Sequence, residues 1–154
     1  MDSVSPFQKT GVREISPDSS RVVYIIEWVT SGTYELYSVP IVGPAASGIK
    51  LNGVLVAGGD VGSFQISPDS RRVVFRGDRQ TAGVDELFSV PLAGPASALI
   101  EVNGPLAPGG DVGLFQISPD GGRVIYIADQ DTNDLLELYM TSYYSIHLPL
   151  ILNE

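Results

Sequence analysis

The 154-residue chain contains no cysteine and a single histidine, His147. The absence of cysteine excludes a disulfide framework, a zinc site with cysteine ligands and a thiol nucleophile. One histidine in an apolar stretch leaves no histidine-rich metal set, and no serine lies in a Gly-x-Ser-x-Gly context. No glycine-rich loop ends in lysine, which excludes a phosphate-binding P-loop. We therefore expect a protein that is not an enzyme and that holds no cofactor.

Lysine is also scarce, since it occurs only at Lys9 and Lys50, and the formal net charge is −9. A surface of this charge repels phosphate backbones, so we expect no nucleic-acid partner. No apolar segment approaches the roughly 20 residues of a membrane-spanning helix. The first residues lack the basic and apolar regions of a secretory signal. We expect no membrane span, and the residues themselves leave the compartment undetermined.

A repeat is the strongest feature that the sequence does contain. The tetrapeptide Ile-Ser-Pro-Asp begins at Ile15, Ile66 and Ile117, and each step is 51 residues. Residues 15–45 and 66–96 are identical at 18 of 31 positions, which indicates duplication of one unit. A period of this size is typical of repeat architectures. We interpret 1–154 as a single repeat domain with units at 12–62, 63–113 and 114–154.

Each unit predicts four short strands and no helix. The first strand, 12–15 in the first unit, ends at Ile-Ser-Pro-Asp, which forms a tight turn. The apolar run after that turn has apolar residues on both faces, which is typical of a strand buried between two sheets. Two further strands complete each unit: a Glu-Leu-Tyr/Phe strand (35–40, 86–91 and 137–140) and a weaker fourth strand (48–51, 98–102 and 149–152).

The unit resembles the WD40-like repeat of the TolB type, because Ile-Ser-Pro-Asp, an Arg-Val-Val/Ile-Tyr/Phe run and Glu-Leu-Tyr/Phe recur together three times. The resemblance covers roughly residues 12–152. It implies an all-β fold of three four-stranded antiparallel β-propeller blades, with the Ile-Ser-Pro-Asp strands lining a central channel. It also implies that the connectors and the loops after the second strands share one face. An extracytoplasmic location, periplasmic or secreted, follows only from this resemblance.

Three blades are fewer than the four to eight that usually close a propeller. The outer blades would then expose apolar faces, and an exposed face of this kind is an association surface. We expect half of a six-bladed ring that a homodimer closes, acting as a non-catalytic scaffold whose loops bind a protein or peptide. The alternatives are a propeller fragment of a larger prolyl-oligopeptidase-like or tricorn-like peptidase, or an isolated fragment without a separate function.

Loop residues supply the candidates for a binding face: Trp28, Asp60, Arg79, Asp111, Asp129 and Asp131. Trp28 and Arg79 occupy equivalent positions, so the residue type at this position differs between units while the surrounding repeat is the same. Asp60 and Asp111 lie in equivalent Gly-Gly-Asp-Val-Gly connectors, either converging at the channel mouth or bonding to nearby backbone amides. Asp129, Asp131 and Asn133 resemble the start of a calcium loop, but the glycine and glutamate that complete such a loop are missing. We interpret this segment as a solvated turn without calcium.

Overall fold

The computed structural model describes residues 7–28, 32–142 and 148–149. Apart from two short 3-10 turns at Ala45–Ser47 and Ala96–Ala98, the regular elements in these residues are β-strands. The strands are β1 (Phe7–Ile15), β2 (Arg21–Trp28), β3 (Thr33–Pro40), β4 (Ile49–Lys50), β5 (Val61–Ile66), β6 (Arg72–Gly77), β7 (Glu86–Pro91), β8 (Ile100–Glu101), β9 (Val112–Ile117), β10 (Arg123–Ala128), β11 (Glu137–Ser142) and β12 (Leu148–Pro149).

These strands form three separate sheets, one for each repeat unit. Each sheet is an antiparallel meander in which consecutive strands pair: β1 to β4 in the first sheet, β5 to β8 in the middle sheet and β9 to β12 in the third sheet. The all-β prediction is therefore confirmed for the described part of the chain. No helix in that part is long and apolar enough to cross a membrane.

The first strands begin ahead of the predicted unit boundaries at 12, 63 and 114. They start at Phe7, Val61 and Val112, because residues before each boundary still pair with the second strand of the same sheet. The fourth strands of the first and middle sheets are shorter than predicted, with two residues each. In the third unit, residues 150–152 of the predicted fourth strand lie outside the described residues.

The Ser-Pro-Asp turn is built around the aspartate carboxylate. In the first unit the Ser16 hydroxyl donates to Asp18 Oδ1 over 2.6 Å, and the Ser20 amide donates to the same oxygen over 3.0 Å. The serine bond is the main reason why the pKa of Asp18 falls to about 2. The equivalent serines hold the pKa values of Asp69 and Asp120 below the usual aspartate range.

The residue after each of these aspartates has a left-handed backbone. Its φ is 59° at Ser19, 59° at Ser70 and 70° at Gly121. Side chains other than glycine rarely adopt this conformation, so the bonds to the carboxylate must hold the first two turns in place. The prediction of a tight turn at Ser-Pro-Asp agrees with this geometry.

The three sheets stack face to face in chain order. One face of the middle sheet, with Val73 and Phe75 from β6, packs on Val23 and Ile25 of the first sheet. The opposite face, with Val74 and Leu87, packs on the third sheet in a second cluster, around Tyr126. Successive residues of β6 thus enter two different cores, because side chains alternate between the faces of a strand. The prediction that the second strand is buried on both faces agrees with β6 of the middle sheet.

The turn carboxylates predict how stability depends on pH. Their folded-state pKa values lie below the ordinary 3.8, so their stabilisation is complete above that pH and is lost as pH falls towards about 2. We expect a variant with Asp18→Asn, Asp69→Asn and Asp120→Asn to lose less stability than the parent protein between pH 6 and pH 2. Asparagine keeps the acceptor oxygen of the turn but has no charge to lose.

Urea unfolding of both proteins across this range measures the difference. Equal losses on acidification would show that the turn carboxylates do not stabilise the folded state.

Candidate functional site

The outer face of the first sheet is uncovered. Ile15 is 59% exposed, whereas its equivalents Ile66 and Ile117 are 7% exposed because each packs on the preceding sheet. The same register places a set of neighbours on this surface, which we name the first-sheet open face: Arg13, Ile15, Val22, Tyr24, Tyr37 and Val39. In the middle and third sheets, residues at these positions form the core.

The third sheet has an uncovered face on its opposite side. Cross-strand pairing places a second set together, which we name the third-sheet open face: Leu114, Gln116, Ile125, Ile127, Leu138 and Met140. Leu114 is 78% exposed. Ile125 and Leu138 are equivalent to Val74 and Leu87, which are fully buried where the middle sheet packs on the third sheet. This face is therefore the counterpart of a surface that is covered elsewhere in the protein.

Each open face carries a depression. The one on the third-sheet open face has a volume of about 470 Å³, and Leu114, Gln116 and Leu138 are among its lining residues. The one at the first sheet has about 350 Å³ and is lined by Arg13, Glu14, Ile15 and Val22. Both depressions are predominantly apolar, as expected of surfaces that resemble the sheet-to-sheet interfaces.

An aromatic pair recurs across the second and third strands of every sheet. Phe75 and Phe88 have ring centroids 5.4 Å apart, and Tyr126 and Tyr139 lie 5.3 Å apart. Both pairs are buried between sheets. The first sheet has the equivalent stacked pair, Tyr24 and Tyr37 at 6.0 Å, on its open face, where both rings are only half-buried.

One substitution between units makes the third-sheet open face more apolar. In the first and middle sheets a buried serine, Ser38 or Ser89, accepts a 2.6 Å bond from the guanidinium of Arg21 or Arg72. Met140 occupies this position in the third sheet, and its sulfur lies 3.8 Å from the Arg123 guanidinium. Methionine adapts readily to irregular apolar surfaces.

The side chain of Gln65 links the first strands of the middle and third sheets, β5 and β9. Gln65 Nε2 donates to the carbonyl oxygen of Phe115 over 3.0 Å, and the amide of Ile117 donates to Gln65 Oε1 over 3.1 Å. The side-chain amide thus satisfies one carbonyl and one N–H of the neighbouring strand, as a backbone peptide would. We name this contact the amide clamp.

The first and middle sheets have a related contact. Glu14, equivalent to Gln65, is exposed, and its carboxylate interacts with the backbone amide of Ile66. Partial desolvation raises the pKa of Glu14, and the interaction with Ile66 partly offsets that rise. Sequence reasoning missed this position. Its signal was the glutamate or glutamine that precedes the motif isoleucine in all three units, at Glu14, Gln65 and Gln116.

The candidate aspartates Asp60 and Asp111 connect sheets as well. Asp60 Oδ1 accepts from the amide of Tyr34 over 2.6 Å, while its own amide donates to Asp78 Oδ1. Asp111 repeats the arrangement, since it accepts from Asp85 over 2.7 Å and donates to Asp129. The amides that donate to these carboxylates belong to the preceding sheet or its β6–β7 loop, whereas Asp60 and Asp111 lie directly before β5 and β9, so these bonds connect each sheet to the start of the next.

A glycine before each of these aspartates makes the connection possible. A Cβ on Gly59 would lie 2.2 Å from the carbonyl oxygen of Asp78, and one on Gly110 would lie 2.4 Å from that of Asp129. No larger residue fits at this approach. The Gly-Gly-Asp-Val-Gly connectors therefore have a structural explanation.

Trp28 lies outside the loop in which the sequence predicts it, since it is the last residue of β2 and pairs with Thr33. The prediction was wrong because the pairing of β2 with β3 continues past the apolar run. The Trp28 side chain interacts with the Tyr37 hydroxyl. The equivalent Arg79 lies in a loop, donates to the carbonyl oxygen of Asn52 over 3.2 Å and stands 5.6 Å from the Phe88 ring centroid.

The segment with calcium-like spacing is a hydrogen-bonded turn. The buried Asp129 accepts from the amides of Asp111 and Asp134, and these bonds lower the pKa of Asp129. Asp131 is exposed and interacts with the Tyr139 hydroxyl, and Asn133 donates to Asp134. Among the described residues, no group of three histidine, cysteine, aspartate or glutamate side chains is placed to hold a metal ion.

A groove of about 360 Å³ lies at the end of the middle sheet where the β6–β7 loop is, which we name the loop end. Its walls come from the β6–β7 loop, including Thr81 and Val84, and from residues 105–110 of the following connector. Glu86 and Glu101 also line it, so the groove combines proline-rich apolar walls with two carboxylates. Burial raises the pKa of Glu86.

Comparison with protein-family models finds no family that matches the chain, and comparison with curated proteins finds no matching protein.

The connecting aspartates give a testable expectation for stability. Asp60→Ala removes the acceptor for the Tyr34 amide, so we expect a loss of about 1–2 kcal/mol in the free energy of unfolding. Asp60→Asn keeps an acceptor oxygen and serves as the matched control, with a smaller loss. Urea unfolding measures both. Equal stability of Asp60→Ala and the parent protein would mean that this bond does not hold the first and middle sheets together.

Proposed function

We propose that this protein is a non-catalytic β-propeller scaffold of three blades, which two copies complete as a six-bladed ring. The observation that supports this proposal is that the open faces of the first and third sheets have the same repeat positions as faces that are covered between neighbouring sheets. Ile15 is exposed and Ile125 is only half-buried, whereas their counterparts Ile66 and Val74 are buried between neighbouring sheets. Apolar faces of this kind favour association, because covering them removes apolar surface from water.

The two open faces are complementary to each other. The third-sheet open face is equivalent to the surface that the middle sheet presents to the third, and the first-sheet open face is equivalent to the surface that receives it. A head-to-tail contact between two copies would therefore repeat the packing already present within the chain. Contacts of this kind form a ring when the rotation closes.

The number of units favours two copies. Propellers typically contain four to eight blades. One chain supplies three and three chains would supply nine, so only the pair gives a number in that range. The resemblance to TolB-type repeats, carried by Ile-Ser-Pro-Asp and Glu-Leu-Tyr/Phe, agrees with a ring of this kind.

The loop end is the surface on which such a scaffold would bind a protein or peptide. The groove between the β6–β7 loop and residues 105–110 has apolar walls and two carboxylates, which suits an extended segment with a basic residue. The candidate side chains Asp60, Arg79, Asp111 and Asp129 have hydrogen bonds within the frame. Glu86 and Glu101 also have hydrogen bonds within the frame, and we place binding in the groove because it is a concave surface with apolar walls.

The ring proposal predicts a native mass of twice 16.4 kDa. Ile15→Glu places a charge on the first-sheet open face, and we expect it to give a monomer. Val42→Glu is the matched control, because Val42 is 89% exposed in a turn and its equivalent Ala93 stays exposed in the middle sheet, so this variant should stay dimeric. Light scattering after gel filtration measures the masses. A parent protein of 16.4 kDa at high concentration would contradict the proposal.

The groove proposal predicts the behaviour of peptides selected from a random library on the parent protein. We expect Thr81→Arg, which places a bulky cation in the groove, to weaken their binding roughly tenfold or more. Thr132→Arg is the matched control, since Thr132 is the exposed equivalent of Thr81 in the third unit.

Fluorescence anisotropy with labelled peptides measures the affinities. Equal binding to both variants would place the peptide site outside the groove.

A further inference from the structure

The residue that forms the amide clamp recurs in all three units, and this recurrence supports a more specific inference, which rests on the ring proposed above. Gln65 bonds to the carbonyl of Phe115 and the amide of Ile117 in the next sheet. Glu14 interacts with the amide of Ile66 at the equivalent position. In the first and middle sheets, the residue before the motif isoleucine thus contacts the first strand of the following sheet.

Gln116 is the third member of this set, and it lies in the last of the three sheets that the described residues form. It is exposed at the third-sheet open face, and its side chain has no hydrogen-bond partner among the described residues. It pairs with Ile125 across β9 and β10, and both residues line the depression. A polar amide on an apolar surface must find partners if that surface becomes covered.

The first strand of a second copy offers those partners. Arg13 and Ile15 are equivalent to Phe115 and Ile117, and Ile15 is exposed at the first-sheet open face. We propose that Gln116 of one copy clamps β1 of the next copy, donating to the carbonyl oxygen of Arg13 and accepting from the amide of Ile15. Gln116 is then the residue that sets the register of head-to-tail self-association.

A second contact of the same kind supports this docking. In the chain itself, the amide of Asp18 donates to the Ser70 hydroxyl across the first and middle sheets, over 3.0 Å. Ser19 is the equivalent of Ser70 in the first sheet, which is the first of the three described sheets in the stack. In the proposed contact, the Asp120 amide of one copy donates to the Ser19 hydroxyl of the next. Both contacts arise from one placement of the third sheet on the first.

Alternative coverings of the two faces make different predictions. If two third-sheet open faces packed on each other, Gln116 of one copy would lie near Gln116 of the other and far from Arg13. A head-to-tail contact brings Gln116 near Arg13 only. The chain lacks cysteine, so introduced thiols report on these distances without interference.

The experiment uses the full chain with two single-cysteine variants, Gln116→Cys and Arg13→Cys, and a short bismaleimide. We expect a cross-linked dimer from the mixture of the two variants and none from either variant alone. A variant with both Gln65→Cys and Phe115→Cys, cross-linked within one chain at the existing clamp, is the control for the reach of the reagent. Cross-linking of Gln116→Cys with itself, or none in the mixture, would overturn the inference.

Affinity provides a second measurement. A two-chain ring contains the clamp twice, so we expect Gln116→Ala to weaken dimerisation roughly 100-fold, about tenfold for each contact. Gln116→Glu should weaken dimerisation less, because at the equivalent position the carboxylate of Glu14 interacts with the backbone amide of Ile66. Gln65→Ala should lower the stability of the fold instead. Equal dimerisation of Gln116→Ala and the parent protein would contradict the clamp.

The two proposals fail in distinguishable ways. A dimeric mass without cross-linking between the Gln116→Cys and Arg13→Cys variants would overturn the clamp and leave the ring standing. A monomeric mass at high concentration would overturn both.

Discussion

Face-to-face packing between consecutive sheets is the interaction on which the described structure depends. A four-stranded meander has two faces and cannot bury either of them alone, so each sheet needs a neighbour. The middle sheet has two, and Val73 and Val74, adjacent in β6, are both fully buried in different cores. Within the described ranges, the first and third sheets have one neighbouring sheet each, and one face of each has no sheet packed on it.

Polar contacts across the same interfaces fix how the sheets sit on each other. Apolar packing is non-directional, whereas Gln65, Asp60 and Asp111 each require a particular backbone group of an adjacent sheet or its loop. The glycines at 59 and 110 permit the close backbone approach on which the aspartate contacts depend. Packing thus provides most of the burial, and a few directional bonds select one arrangement of the sheets.

The sequence predicted the strand content and the turn chemistry well, because both are local. Alternation of Phe64 and Ile66 and the Ser-Pro-Asp turn follow from properties of a few adjacent residues. Boundaries were less predictable, since β1 extends to Phe7 and β2 to Trp28 only through pairing with another strand. The roles of Asp60 and Gln65 could not be predicted from the sequence. Their partners are backbone groups that lie far away along the chain, and every residue type carries the same backbone groups. Asp60 and Asp111, which suggested a ring of charges, and Asp129, which suggested a calcium loop, accept hydrogen bonds from amides.

The two-residue fourth strands have a consequence for how this protein meets other molecules. Sheets normally recruit further strands through the unpaired amides and carbonyls of a long, flat border, which is also the route to aggregation. Here β4 and β8 leave too little regular backbone for another chain to extend the sheet. Addition of another strand at these edges is thereby disfavoured. The protein can then associate through the faces of its sheets without forming the extended intermolecular sheets of a fibre.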